Sequence, residues 1–204
     1  MSAKLPVRER WATWNGHELE AQPPRIVAFD IETTNLKADI GFVLCAVVKP
    51  LGEDPVVLRL DELRGDSGKP WDDGRLVATL VDILASAHLA YGWNIRRFDI
   101  RFLRTRRLLL GQSQTPRMVA TIDLLQVARR FAFHSNRQAV WMESLSRYQK
   151  TEVIGVEWVR AMTGDREAMD YVVQHCLADV MGLEEIYRHL APYIAQHKPV
   201  IEVL

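Results

Sequence analysis

Cysteine is scarce in this chain: Cys45 and Cys176 are the only two among 204 residues, and both lie in apolar segments. Two thiols without spaced histidine or cysteine partners make neither a disulfide framework nor a zinc site, so they read as core thiols in a reducing, cytoplasmic setting. Long hydrophobic runs are missing too. No eighteen apolar residues follow one another and the N-terminal stretch is not that of a signal peptide, which argues against membrane spanning and secretion. Excess charge of either sign is absent, since Lys+Arg and Asp+Glu both total 26. The molecule as a whole therefore offers a polyanion no general attraction, and any polyanion site must be local. No internal repeat and no low-complexity tract is present.

What is there suits one substantial core: 48% of residues are hydrophobic and 25% charged. Residues 1 to 24 mix charge with Trp11 and Trp14 and end in Pro23 and Pro24, an N-terminal arm that the two tryptophans would tack onto a single domain spanning 25 to 204. Apolar runs predict a strand from Ile26 through Ile31, with Thr33, Thr34 and Asn35 as its polar exit, and strands at Phe42 to Lys49 and Val56 to Leu60 with turn residues between them, so an antiparallel meander opens the domain. Leu76, Leu80, Ile83 and Leu84 recur at helical spacing. A strand at His88 to Trp93, a second helix around Phe98, Phe102 and Leu103, and a strand near Met118 to Leu124 follow. From Leu125 onward the chain reads almost entirely helical, with Gly155 and Gly164 as breaks and Asp165 as a helix cap. The expected fold is α/β, a mixed five-stranded sheet with three antiparallel strands first, flanked by helices.

The first strand carries the main chemical signal. Asp30 and Glu32 sit two positions apart within Ile26-Val27-Ala28-Phe29-Asp30-Ile31-Glu32, so both carboxylates leave the same face of a strand whose run is otherwise apolar. Like charges crowded in a low-dielectric setting repel and are costly to desolvate, unless a cation sits between them. Two more acids occupy unusual settings: Asp99 at the start of a helix just after a buried strand, and Asp179 beside Leu177, Val180 and Leu183 on a late apolar helix. Four converging carboxylates suit two hard divalent cations, and two such ions are the recurring device for phosphodiester hydrolysis.

Three segments in this order carry a resemblance. Phe29-Asp30-Ile31-Glu32-Thr33-Thr34-Asn35-Leu36, then Asn94-Ile95-Arg96-Arg97-Phe98-Asp99, then His175-Cys176-Leu177-Ala178-Asp179-Val180 resemble the three exonuclease motifs of the DnaQ-like, or DEDD, superfamily across residues 26 to 190. The similarity is closest to YprB-like proteins and to exonuclease domains of B-family polymerases. The resemblance implies a ribonuclease H-like fold and two magnesium or manganese ions on Asp30, Glu32, Asp99 and Asp179. It also implies stepwise release of 5′-mononucleotides from the 3′ end of single-stranded DNA or RNA. The third motif departs from the family: one subclass has tyrosine where His175 stands, and the other has histidine at the position of Gln174.

Helix geometry favours His175 as the base, because a residue four before Asp179 projects only about 40° away around the axis. A neutral imidazole is a competent general base near neutral pH, and Tyr171, one turn earlier, is the fallback. The resemblance places Asn94 at the mouth of the site, with Thr33 and Phe98 as further candidate substrate contacts, although aromatics such as Trp93 and Phe98 equally suit a core. Six arginines between 96 and 107 suggest phosphate steering or plain solvation. The rival functions are a structure-specific endonuclease of the same fold and a non-catalytic nucleic-acid-binding domain. A ribonuclease H or transposase nuclease fits less well, since Asp30 and Glu32 share one strand. No tail or heptad pattern points to a protein partner.

Overall fold

The continuous apolar run Val27-Ala28-Phe29 is fully buried, and the strand that contains it, β1 (Ile26–Thr33), has neighbours on both edges. It pairs antiparallel with β2 (Val43–Pro50), which pairs antiparallel with β3 (Val56–Arg59). On its other edge β1 runs parallel to β4 (Leu89–Gly92), β4 runs parallel to β5 (Met118–Asp123), and β6 (Val200–Val203) closes the sheet antiparallel to β5. The strand order is β3-β2-β1-β4-β5-β6. These features come from a computed structural model that describes residues 24–204 apart from 66 and 68. The expected arm, with Trp11 and Trp14, falls outside the described residues as far as position 23.

Helices cover the sheet. The first, α1 (Gly74–Ala85), crosses from β3 to β4 and buries Leu76, Val77, Leu80, Val81 and Leu84 along one stripe. Between β4 and β5 comes α2 (Asp99–Leu109), followed by the short α3 (Leu124–Ala128), α4 (Gln138–Leu145), α5 (Gly155–Met162) and the long α6 (Arg166–Ile194). The last packs across β1 and β2. Asp165 caps it as expected, its carboxylate accepting from the Ala168 N–H at 3.1 Å. Among the described residues, no helix is long and apolar enough to cross a membrane.

Three details differ from the sequence expectations. The sheet has six strands, because Val200-Ile201-Glu202-Val203 adds an edge strand in place of a helical end; Pro199 cannot continue a helix, and β-branched residues follow it. Four residues are too few to show a period. Residues 129 to 137 and 146 to 154 are loops, although their composition blends into the helical pattern around them. Gly155 accordingly begins α5 after a loop, whereas Gly164, at φ 97°, ends it as expected. The second helix lacks Arg96, Arg97 and Phe98, which fall in the turn of residues 95 to 98, while Asp99 stands at its start as expected.

One buried ion pair ties α1 and α2 to β2. Asp73 is fully buried, accepts from the Arg106 guanidinium at 2.6 and 3.0 Å, and accepts from the Val43 N–H at 2.9 Å. Removing one partner of such a pair leaves a buried charge without compensation. Arg106→Ala is therefore expected to destabilise the fold by about 3 to 5 kcal/mol, measured by urea unfolding. A loss below about 1 kcal/mol would mean the pair behaves like a surface contact.

Candidate active site

The carboxylates of β1 gather at the end of the strand where the sheet opens. Only Ile26 to Ala28 pair with β4, so beyond Ala28 the two parallel strands diverge, the usual position of a ligand crevice in such sheets. On the other edge the β1–β2 register shifts between Glu32 and Thr33, a bulge that re-aims the strand at Glu32. The exit from β4 needs Gly92, because a Cβ there would lie 2.7 Å from the Phe29 carbonyl oxygen. The chain then turns through Asn94 in the left-handed region at φ 62°, a conformation asparagine tolerates better than most residues. The Asn94 N–H donates to Asp123 Oδ1 at 2.9 Å, and the same oxygen accepts from Leu125 N–H at 3.1 Å to cap α3. Asp123 thus fixes the turn that delivers Asp99 to the site.

Asp99 is buried, and its Oδ1 accepts from the Ile31 N–H at 3.3 Å, which locks the head of α2 onto β1 between the two strand carboxylates. From α6 come His175 and Asp179, one turn apart and both about nine-tenths or more buried. His175 Nε2 lies 3.8 Å from Glu32 Oε1 and 3.8 Å from Asp179 Oδ2. Cys176 Sγ lies 3.5 Å from the Asp30 carbonyl oxygen and 3.6 Å from its Oδ2. One cleft of about 490 Å³ is lined by Asp30, Glu32, Thr33, Asn94, Phe98, Asp99, His175 and Asp179 together. Tyr171, the fallback base, does not line that cleft; its hydroxyl donates to the Glu152 carbonyl at 2.7 Å. Gln174 is exposed beside it, as expected of a side chain well over a quarter-turn from Asp179.

Sequence reasoning missed four more residues of the site: Lys150, Trp158 and Gln138 line the cleft, and Thr151 contacts His175. Lys150 pairs with Asp179 Oδ2, and Thr151 Oγ1 lies 2.6 Å from His175 Nδ1. Both sit in the loop 146 to 154 that reads as helix, so no local signal set them apart. Trp158, on α5, donates its indole N–H to Glu32 Oε2 at 3.2 Å and packs edge-on against His175 with ring centroids 5.3 Å apart. Gln138 Nε2 donates to the Asp179 carbonyl at 3.1 Å and lines the same space.

Burial first, and like charge second, work against ionisation of these acids. Burial, followed by the Asp179 charge, pushes the Asp30 carboxyl up to about 7, against the pull of Lys150 and the Cys176 thiol. Burial and then the charges of Asp30 and Asp179 push Glu32 up to about 9. Burial and Asp30 likewise hold Asp99 well above the ordinary carboxylate range. Burial works against the Lys150 ammonium, but the charge and hydrogen bond of Asp179 outweigh it and raise its pKa. One cation thus faces three strained acids and Asp179, whose Oδ1 is buried with no hydrogen-bond partner among the described residues. Asp30, Glu32 and Cys176 form one group of potential ligand atoms within 4.8 Å of one another, and Glu32, His175 and Asp179 form a second. Each group joins two carboxylates to one softer donor, the Cys176 thiol or the His175 imidazole, and Asp99 belongs to neither; the carboxylate oxygens suit hard divalent cations.

No curated protein matches the chain by sequence. Among solved structures, the family B DNA polymerase from the hyperthermophilic archaeon Pyrobaculum calidifontis superposes with a TM-score of 0.68 at 19% identity, over 86% of this chain and 25% of the polymerase. The chain thus spans about a quarter of that protein's length and shares its fold over that portion. The sequence model of the RNase_H superfamily matches residues 27–191, from the first buried residues of β1 to the last turn of α6, and so takes in every acid of the cleft. Nuclease-type chemistry is the function this match supports, and the chain belongs to the RNase_H superfamily.

Proposed function

We propose that residues 25 to 204 form the catalytic domain of a metal-dependent 3′–5′ exonuclease, which releases 5′-mononucleotides from single-stranded DNA or RNA. The observation that carries this reading is the meeting of three acids of raised pKa, the half-buried Asp30 and Glu32 and the buried Asp99, with Asp179 and His175 in one open cleft. Such an arrangement is unfavourable in the apo protein and becomes favourable with bound dications. Asp30, Glu32, Asp99 and Asp179 would hold two magnesium or manganese ions, which would supply Lewis-acid activation of the attacking water and neutralisation of the phosphodiester charge.

The chain's own residues do the remaining work. His175 accepts a proton at Nε2 in the tautomer that carries its hydrogen on Nδ1, which lies 2.6 Å from Thr151 Oγ1 and donates to it in that form. Burial holds its pKa below the ordinary value, which keeps the imidazole neutral and able to accept at physiological pH. Lys150 holds Asp179 and brings a positive charge to the wall of the cleft, where negative charge builds up on the phosphoryl oxygens. Asn94, Thr33 and Phe98 line the mouth and position the terminal nucleotide.

A linear 5′-labelled single strand, incubated with the protein and manganese, is expected to give a ladder shortening from the 3′ end. A covalently closed circle of the same sequence is expected to survive. Circles nicked as fast as linear strands are shortened would establish an endonuclease instead. Metal binding without turnover of either would leave a nucleic-acid-binding domain.

A further inference from the structure

The arginines of the second motif region divide into two groups once their partners are known. Arg96 donates to the Thr121 carbonyl at 2.9 Å, Arg104 to the Val203 carbonyl at 2.8 Å and Glu202 at 2.9 Å, and Arg106 to Asp73. Arg107 is buried and donates to the carbonyls of Gln112 and Thr115. Those four hold β5, β6, α1 and the loop after α2 in place. Arg97 and Arg101 are exposed, and among the described residues neither guanidinium has a hydrogen-bond or ion-pair partner. Arg97 lies in the turn before α2 and Arg101 in the first turn of that helix, and both border one face of the molecule.

That face is the wall of a second groove of about 230 Å³, bounded opposite by Lys37 and Asp39 from the loop after β1. Leu36 and Phe98 line both this groove and the acidic cleft, so the two are continuous. The charge therefore changes sign along one surface: acids in the cleft, then Lys37, Arg97 and Arg101 against the single carboxylate of Asp39. In a protein of zero net charge, a local excess of two positive charges, with both guanidiniums unpartnered among the described residues, suits an external anion.

We propose that this groove is a subsite for the phosphodiester backbone of the single strand on the 5′ side of the scissile bond, with Arg97, Arg101 and Lys37 as its phosphate contacts. The proposal rests on the exonuclease reading for its direction: when the cleft holds the 3′-terminal nucleotide, the rest of the strand leaves only on the 5′ side. The contacts are ionic and made to the backbone, so they carry affinity and register without sequence preference. They act before and after the chemical step alike, so they lower KM and leave kcat to the cleft.

The test is fluorescence anisotropy of a labelled thymidine 12-mer in EDTA, where no turnover occurs, between 50 and 200 mM NaCl. Each phosphate contact to a single strand contributes about 0.7 to the slope of log K against log salt, so Arg97→Ala with Arg101→Ala is expected to flatten the slope by about 1.4. Arg97→Lys with Arg101→Lys is expected to keep the wild-type slope, because a point charge suffices for a phosphate. Asp39→Asn is expected to tighten binding. Arg166→Ala, an exposed arginine at the head of α6, is the control for loss of charge as such. A slope unchanged in the double alanine variant, or flattened equally by Arg166→Ala, overturns the groove. Turnover of the 12-mer by the wild type with manganese is scored separately: turnover with an unchanged slope sinks only the groove, whereas a flattened slope without turnover sinks only the exonuclease.

Discussion

Asp30→Asn is expected to slow hydrolysis of a single-stranded oligonucleotide by on the order of 10³-fold or more, while making the metal-free protein more stable at pH 8. Both effects follow from one placement. Asp30 is held with its carboxyl raised to about 7 by burial and by the charge of Asp179, and Glu32 is raised to about 9 by burial and by Asp30. In the unfolded chain both acids ionise near pH 4. Between about pH 4 and 9 the folded state therefore binds more protons than the unfolded state, and metal-free stability falls as pH rises through that window. For Asp30 the full effect is on the order of 4 kcal/mol, complete once the pH passes its folded-state value. The asparagine variant has no such charge to hold. Its metal-free unfolding midpoint is expected to exceed that of the wild type at pH 8 and to match it more closely at pH 4. Manganese should raise the wild-type midpoint by mass action and raise that of the variant much less. A wild-type stability that stays flat from pH 5 to 9 in EDTA, or a variant with the wild-type rate, would show that Asp30 is an ordinary carboxylate.

How far this site was legible in the sequence depended on whether a residue's position follows from a local period. Asp30 and Glu32 share a face because a strand repeats every two residues, and His175 shares one with Asp179 because a helix nearly repeats every four. Both relations survive into the fold. The same holds for the opening meander and for the cap at Asp165. Lys150 and Thr151 were invisible because they reach Asp179 and His175 from a loop nine residues long, 146 to 154, and a loop has no period from which direction can be inferred. The edge strand β6 was missed because its four residues gain their conformation from pairing with β5, a contact about eighty residues distant in sequence. The arginines mislead in the other direction. Their composition suggests one basic patch, but Arg96, Arg104, Arg106 and Arg107 are committed to structural partners, which only tertiary contacts reveal.

His175→Phe is expected to lower kcat by on the order of 10² to 10⁴, the contribution of a positioned proton acceptor, while leaving metal and oligonucleotide binding in place. The reason lies in the two faces of the ring. Nδ1 is 2.6 Å from Thr151 Oγ1, and Nε2 sits 3.8 Å from Glu32 Oε1 and from Asp179 Oδ2, too far for a direct hydrogen bond and open to a water between them. Trp158 packs edge-on to the ring, and the side chain is otherwise enclosed. Burial lowers the pKa, the Lys150 charge lowers it further, and Asp179 works against both, with the net direction downward. A base must be neutral, so the acid limb of kcat should fall below the ordinary histidine value of about 6.5. Thr151→Val removes the partner that orients the ring, so it should lower kcat less than His175→Phe does. His175→Tyr places a phenol where one subclass of the resembled family has tyrosine, so partial activity with the histidine-dependent acid limb abolished is the expected outcome. If His175→Phe and His175→Tyr both turn over at the wild-type rate with the same acid limb, the imidazole is a packing residue. Proton acceptance must then fall to solvent, since Tyr171 lies outside the cleft with its hydroxyl donated to Glu152.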